Sequence, residues 1–157
     1  MTDTKTSSLT VSDLKKHVGF WLRFVSNHVS RAFARKLEAS GVTVAEWVVM
    51  REMFDDAEIS PGVVAERIGM TRGGVSKLVD KLVGKRLITR TNRTDDRRFQ
   101  SIALTAAGRR LIPQLARLAD QNDEEFFGPL STRERAALLS SMKKLVHAHG
   151  LETLPTE

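Results

Sequence analysis

The 157 residues carry 25 Lys or Arg against 19 Asp or Glu, a formal net charge of +6, with 41% hydrophobic residues and no cysteine. This is enough chain for one domain with a proper core, or for one small domain plus a dimerisation extension, and no apolar run approaches the ~20 residues that span a bilayer. Absent cysteine excludes disulfides, thiolate metal sites and thiol redox sensing within this chain, while four His and no Tyr leave little for catalysis.

Residues 1–10 are polar and lack the apolar stretch of a secretory signal, so a cytoplasmic location is expected, with residues 1–11 as a disordered tail. Leu14, Val18, Trp21, Val25, Val29, Phe33 and Leu37 recur every three or four positions, which predicts one long amphipathic helix. A second stripe (His17, Phe20, Phe24, His28, Arg31, Arg35) begins aromatic and ends basic. The first half of this helix is therefore expected to be buried on two sides, which points to a partner subunit. Gly41 ends the helix, and Thr43 with Glu46 forms a capping box that opens a second helix through Trp47, Val48, Met50 and Met53.

Ser60 and Pro61 start a third helix that runs to about Ile68 and is broken by Gly69. Thr71 caps a fourth, with Val75, Leu78, Val79 and Leu82 on one face and Arg72, Gly73, Ser76, Lys77 and Lys81 on the other. Two strands, from Ile88 to Thr91 and from Phe99 to Leu104, flank a polar turn from Asn92 to Arg98. Thr105 begins a fifth helix through Leu111, Ile112, Leu115 and Leu118, in which Pro113 should produce a kink. Ser131 with Glu134 repeats the capping box and opens a sixth helix through Leu138, Met142, Leu145 and Val146. Residues 151–157 are expected to form a flexible tail.

The charge is concentrated. Residues 60–98 hold ten Lys or Arg against four Asp or Glu, so this quarter accounts for the whole net charge of +6. A local positive field on a helix pair and a basic hairpin is the footprint of a duplex-DNA reader. Taken alone, the polar face of the fourth helix suits a merely solvated helix equally well; beside the hairpin and the charge, it reads as a DNA face.

The stretch from Ser60 to Gly108 resembles the winged helix-turn-helix of the MarR family of bacterial transcriptional regulators. The residues that carry the match are VVAERIGMTRGGVSKLVDKL (63–82), LITR (87–90), DDRR (95–98) and LTAAG (104–108), with GVTVAEW (41–47) on the flank. The similarity extends over about residues 12–149. It implies a mostly α fold with a small β-wing: a winged helix-turn-helix over 41–105 plus a helical dimerisation region from 12–40 and 106–150. Two departures stand out. The family usually has Gly where the recognition helix ends, and this chain has Arg86, with Gly84 two residues earlier. A non-Gly residue at a left-handed cap costs roughly 1 kcal/mol, so a different turn into the wing is expected. Pro113 is also unusual in its helix.

The resemblance implies a homodimer on double-stranded DNA. Its recognition helix presents its first turn (Thr71, Arg72, Gly73, Gly74) with free backbone N–H groups and the positive helix end. Two successive glycines weaken a helix by ~1 kcal/mol each, and close approach to DNA is a reason to keep them. Arg72, Ser76 and Lys77 are the expected base contacts, while Lys81 and Lys85 are expected at phosphates. In the wing, Arg93, Arg97 and Arg98 surround Asp95 and Asp96, and Asp96 with Arg98 matches the family's Asp-x-Arg, in which the Asp braces an Arg entering the minor groove. Paired recognition helices imply an inverted repeat with half-sites about one turn (roughly 10 bp) apart.

Many family members release DNA when a small aromatic acid binds between the dimer region and the winged helix. His17, Trp21, Phe24, His28, Trp47 and Arg51 are the candidates to line such a cleft, although the tryptophans equally suit a core and Arg51 equally suits an ion pair. No cofactor is implied. His147-x-His149 does not align two side chains on one helix face, so no metal site is assigned. The leading function is an effector-responsive repressor, and the alternative is a constitutive architectural DNA-binding protein. An enzyme is disfavoured, because no nucleophile–base grouping, Gly-rich phosphate loop or metal-ligand spacing is present.

Overall fold

A computed structural model describes residues 11–92 and 100–152. The stripe that begins at Leu14 does not form one helix. Asp13 caps a single 3-10 turn, Leu14–Lys16, through a 3.1 Å bond from the Lys15 N–H, and the backbone is extended at His17 (φ −83°, ψ 124°). Helix α1 then runs over Val18–Leu37. Trp21 Nε1 donates 2.9 Å to the Lys15 carbonyl and ties the turn to the start of α1. Periodicity alone could not reveal this break, because both pieces keep their apolar residues on one stripe.

Farther on, the capping chemistry sets the boundaries. Gly41 adopts the left-handed conformation (φ 65°), and the Thr43–Glu46 box opens α2 (Val44–Glu52) with both of its reciprocal bonds. Ser60 accepts from the Val63 N–H with Pro61 at the first position of α3 (Pro61–Ile68), and Gly69 (φ 66°) ends it. Thr71 then caps α4 (Arg72–Gly84). Strands β1 (Ile88–Asn92) and β2 (Gln100–Leu104) pair antiparallel, Ile88 opposite Leu104 and Arg90 opposite Ile102. Ile59 adds a one-residue bridge to Ile102, with N···O distances of 3.0 and 2.8 Å, and so fastens the wing to the chain just before α3.

One core lies beneath α4. Val75, Val79 and Leu82 are fully buried against Val49, Met50 and Val64, with Ile88 and Ile102 from the wing and Ile112 and Leu115 beyond them. Each such side chain contributes about 1.5–3 kcal/mol on leaving water. Helix α5 (Ala106–Phe127) starts at Thr105 and continues unbroken through Pro113. Its Gly108 has a specific purpose: a Cβ there would come within 2.3 Å of the Leu87 carbonyl oxygen. The absence of a side chain lets α5 pack directly on the turn that leads into the wing.

Polar contacts register α1 on α5. Buried Asn122 donates 3.3 Å to the Val29 carbonyl and accepts 3.1 Å from Lys36, which also pairs with Glu125 at 2.6 Å. Helix α6 (Thr132–Ala148) opens on the Ser131–Glu134 capping box and buries no residue. Bonds from the Ser131 backbone and hydroxyl hold the Glu134 carboxyl below its ordinary range. The first half of α1, expected to be covered on two sides, is open within the chain: Val18 is 80% exposed and Leu22 is 52% exposed.

Candidate nucleic-acid interface

The exposed side of α4 and the cations around it are sorted by what each one touches. Arg67 on α3 pairs with Asp56 (2.8 Å) and Glu52 (3.4 Å), and these bonds hold its guanidinium above its ordinary pKa. Arg90 on β1 is taken by Asp80 of α4. Arg109 donates to the carbonyls of Phe54 (3.0 Å) and Asp56 (2.9 Å), clamping α5 to the end of α2.

Lys85, expected at a phosphate, turns inward. Its ammonium donates 2.7 Å to the Gly41 carbonyl and 2.7 Å to Oε2 of Glu46, whose carboxylate is 1% exposed. Burial alone would push the Glu46 carboxyl up, but the Lys85 ammonium and the Thr43 N–H together hold it below the ordinary carboxylate value. An ammonium so held by a buried anion is not available to a phosphate.

The polar residues on the outer face of α4 are different. Arg72, Ser76, Lys77 and Lys81 are exposed and, among the described residues, make no side-chain hydrogen bond or ion pair. They lie at the start and along the outer face of α4, opposite Val75, Val79 and Leu82. The mouth of the helix is partly used. Thr71 Oγ1 accepts the Gly74 N–H at 3.1 Å, so that donor is not free, as was expected of it, and those of Arg72 and Gly73 remain. The two glycines also separate. A Cβ at Gly74 would sit 3.0 Å from Thr71 Oγ1, whereas one at Gly73 would meet nothing within 4 Å. Nothing inside the chain requires glycine at 73, and the open space lies on the helix's outer side.

The wing residues Arg93, Asp96, Arg97 and Arg98, with Asp95, lie outside the described residues. The turn before the wing does not differ in the way expected. Arg86 takes the left-handed conformation itself (φ 60°), the one non-glycine among the described residues to do so. Thr105 supports it by donating 2.8 Å to the Arg86 carbonyl.

The six proposed effector residues fall into separate settings. Phe24 and His28 meet at a tilt of 51° with centroids 4.8 Å apart, with Trp21 edge-on to Phe24 at 6.3 Å and His17 at the exposed start of α1. Trp47 belongs to the core, 9% exposed and edge-on to Phe33, and is not part of an open cleft. Arg51 pairs with Asp55 at 3.1 Å and lies over the Phe54 ring. Of the six, Trp21 alone also lines a trough of about 480 Å³ along α1, together with Val18, Leu22, Val25, Phe127, Leu138 and Met142.

A helix pair whose second member carries an unpaired basic face, followed by a two-stranded wing pinned to the same core, defines a winged helix-turn-helix. Comparison with known proteins narrows the class. Residues 40–98 match the model of the MarR family. The transcriptional regulator HosA of Escherichia coli O111:H- is 25% identical over 111 residues, covering 71% of this chain and 82% of that protein. Two solved structures share the fold at 24% identity and 86% coverage of this chain. One is BpsR of Bordetella bronchiseptica, whose DNA binding is regulated by 6-hydroxynicotinic acid (TM-score 0.78, 98% of its chain). The other is a mutant MarR from Escherichia coli complexed with operator DNA (TM-score 0.76, 99% of its chain). The chain is thus similar to the MarR family over residues 40–98 and shares the fold of these regulators.

Proposed function

We propose that this chain is a transcriptional regulator of MarR type, a homodimeric repressor that binds an inverted-repeat operator and releases it when a small phenolic or aromatic carboxylate effector binds. In this reading residues 12–40 and 106–150 form the dimerisation region and residues 41–105 read DNA. The observation that carries it is the sorting of cations: Arg67, Lys85, Arg90 and Arg109 are engaged within the chain, while Arg72, Lys77 and Lys81 are left unpaired on one face of α4. Unpaired cations at that spacing match base edges near the helix start and phosphates further along. Arg93, Asp96, Arg97 and Arg98 of the wing are assigned to the adjacent minor groove.

The dimer is supported by the uncovered apolar side of α1 and α6, which a two-fold copy would close. The effector is supported by BpsR, and by the half-exposed rings of Phe24 and Trp21 with His28 beside them. The test compares two variants over a set of selected duplexes. Lys77→Ala should reorder preference among them by about 1–3 kcal/mol, the worth of a base contact. Lys81→Ala should weaken all of them by a similar factor. Equal behaviour of the two variants would refute the assignment of base and phosphate contacts.

A further inference from the structure

The two ends of α4 are held in opposite ways. Its reading end, from Arg72 to Lys77, is packed through Val75 but makes no polar side-chain tie to the rest of the described chain beyond the Thr71 cap. Its far end is bound at three successive residues. Lys85 joins the Gly41 carbonyl to buried Glu46, and the same Glu46 oxygen accepts the Thr43 N–H at 2.9 Å. Arg86 is held through its carbonyl by the Thr105 hydroxyl. The Leu87 carbonyl accepts the Thr105 N–H at 3.0 Å and is the group that closely faces Gly108. Gly41 closes the α1 end, Thr43 opens α2 and Thr105 opens α5, so this turn is where the recognition helix meets both long helices of the helical region.

We propose that Lys85 and Glu46 are a positioning pair for DNA recognition, setting the angle of α4 against α1 and α2 and thereby the spacing read by two recognition helices. The inference rests on the DNA-binding reading above. Leverage makes the pair matter. At 1.5 Å per residue, α4 is about 20 Å long, so a tilt of about 10° at its fixed end moves the reading end by roughly 3 Å, close to one base-pair step of 3.4 Å. A compact ammonium bridging a carbonyl and a buried carboxylate resists that tilt, whereas a lysine serving phosphate would point outward.

The two roles predict opposite signs for Glu46→Gln. Glutamine can still complete the capping box with Thr43 but no longer holds the lysine by charge. For a positioning pair, affinity for the selected operator falls about tenfold, a coupling typical of groups in one network. The penalty for inserting one base pair between half-sites shrinks by a similar factor, and the slope of log affinity against log salt stays at the wild-type value. For a phosphate lysine, Glu46→Gln frees a cation and binding is equal or tighter. Lys85→Met, measured the same way, decides the matter should Glu46→Gln not fold, since loss of a phosphate contact lowers the slope by about 0.9. Tighter or unchanged binding by Glu46→Gln, a reduced slope for Lys85→Met, or lower thermal stability with unaltered affinity and spacing preference would each overturn the proposal. Wild-type protein that selects no duplex would instead defeat the DNA-binding reading itself.

Discussion

Between Val42 and Leu115 the described large apolar residues, Val63 aside, belong to one core or pack against it: Val49, Met50, Val64, Val75, Val79, Leu82 and Ile102 are closed to solvent. The flanking helices differ. Helix α6 buries nothing, and its Leu139 and Leu145 are about as exposed as Leu22 and Phe24 on α1. The winged unit is closed by this core, to which Leu37 of α1 and Ile112 and Leu115 of α5 also belong, while the outer sides of α1 and α6 present apolar residues that single surface positions do not explain. The polar surface follows the same division of labour. Among the winged unit's described residues Arg51, Arg67, Lys85 and Arg90 are paired, while Arg72, Lys77 and Lys81 on α4 and Arg86 just beyond it are not. One region presents unpaired charge to solvent, and the other an uncovered apolar side.

This contrast breaks most readily on the apolar side. Leu22→Asp should leave the winged unit folded but weaken self-association by at least about 100-fold, because a two-fold contact is lost twice. Sedimentation would show monomers with a normal circular dichroism spectrum, and retained dimers would mean that the trough on α1 is not the contact. Next in size is Gly108→Ala. It places a methyl against the Leu87 carbonyl and should cost about 1–3 kcal/mol in denaturant unfolding. No loss of stability would contradict the close approach of α5 to the wing turn.

Gly73→Ala sharpens the charged side. It should stabilise the fold by about 0.5–1 kcal/mol, since nothing crowds the new methyl, while weakening DNA binding. Equal or better binding would remove the need for close approach at that residue. The smallest effect concerns pH. Glu46 is held below its ordinary value of 4.5, so its contribution to stability is present above that pH and fades as pH falls through the lower folded-state value. The stability difference between wild type and Glu46→Gln should therefore narrow below about pH 4.5. A difference that stayed constant would mean Glu46 is not charged in the folded state.

Much of this was legible in the residues themselves. Gly41, Thr43 with Glu46, Ser60-Pro61, Gly69, Thr71, Thr105 and Ser131 each mark a helix end by local chemistry, and local chemistry survives folding. What stayed hidden depends on tertiary partners. Charge counting found the basic quarter but could not show that Lys85 is bound by an acid 39 positions away while Lys77 is not. The bridge at Ile59 is one residue long and has no period to detect. Trp47 and Trp21 are the same residue type on amphipathic helices, yet one packs into the core and the other faces solvent, a difference set by the neighbouring helices. The reason for Gly108 appears only when the Leu87 carbonyl is seen beneath it.

The most direct test of the central claim is selection of duplexes from a random pool by the purified protein at near-physiological salt. The account predicts an enriched inverted repeat with half-site centres about one turn (roughly 10 bp) apart, bound with an affinity that falls steeply with salt. Absence of any enriched sequence, with binding lost at moderate salt, would contradict a dimeric reader that uses the outer face of α4.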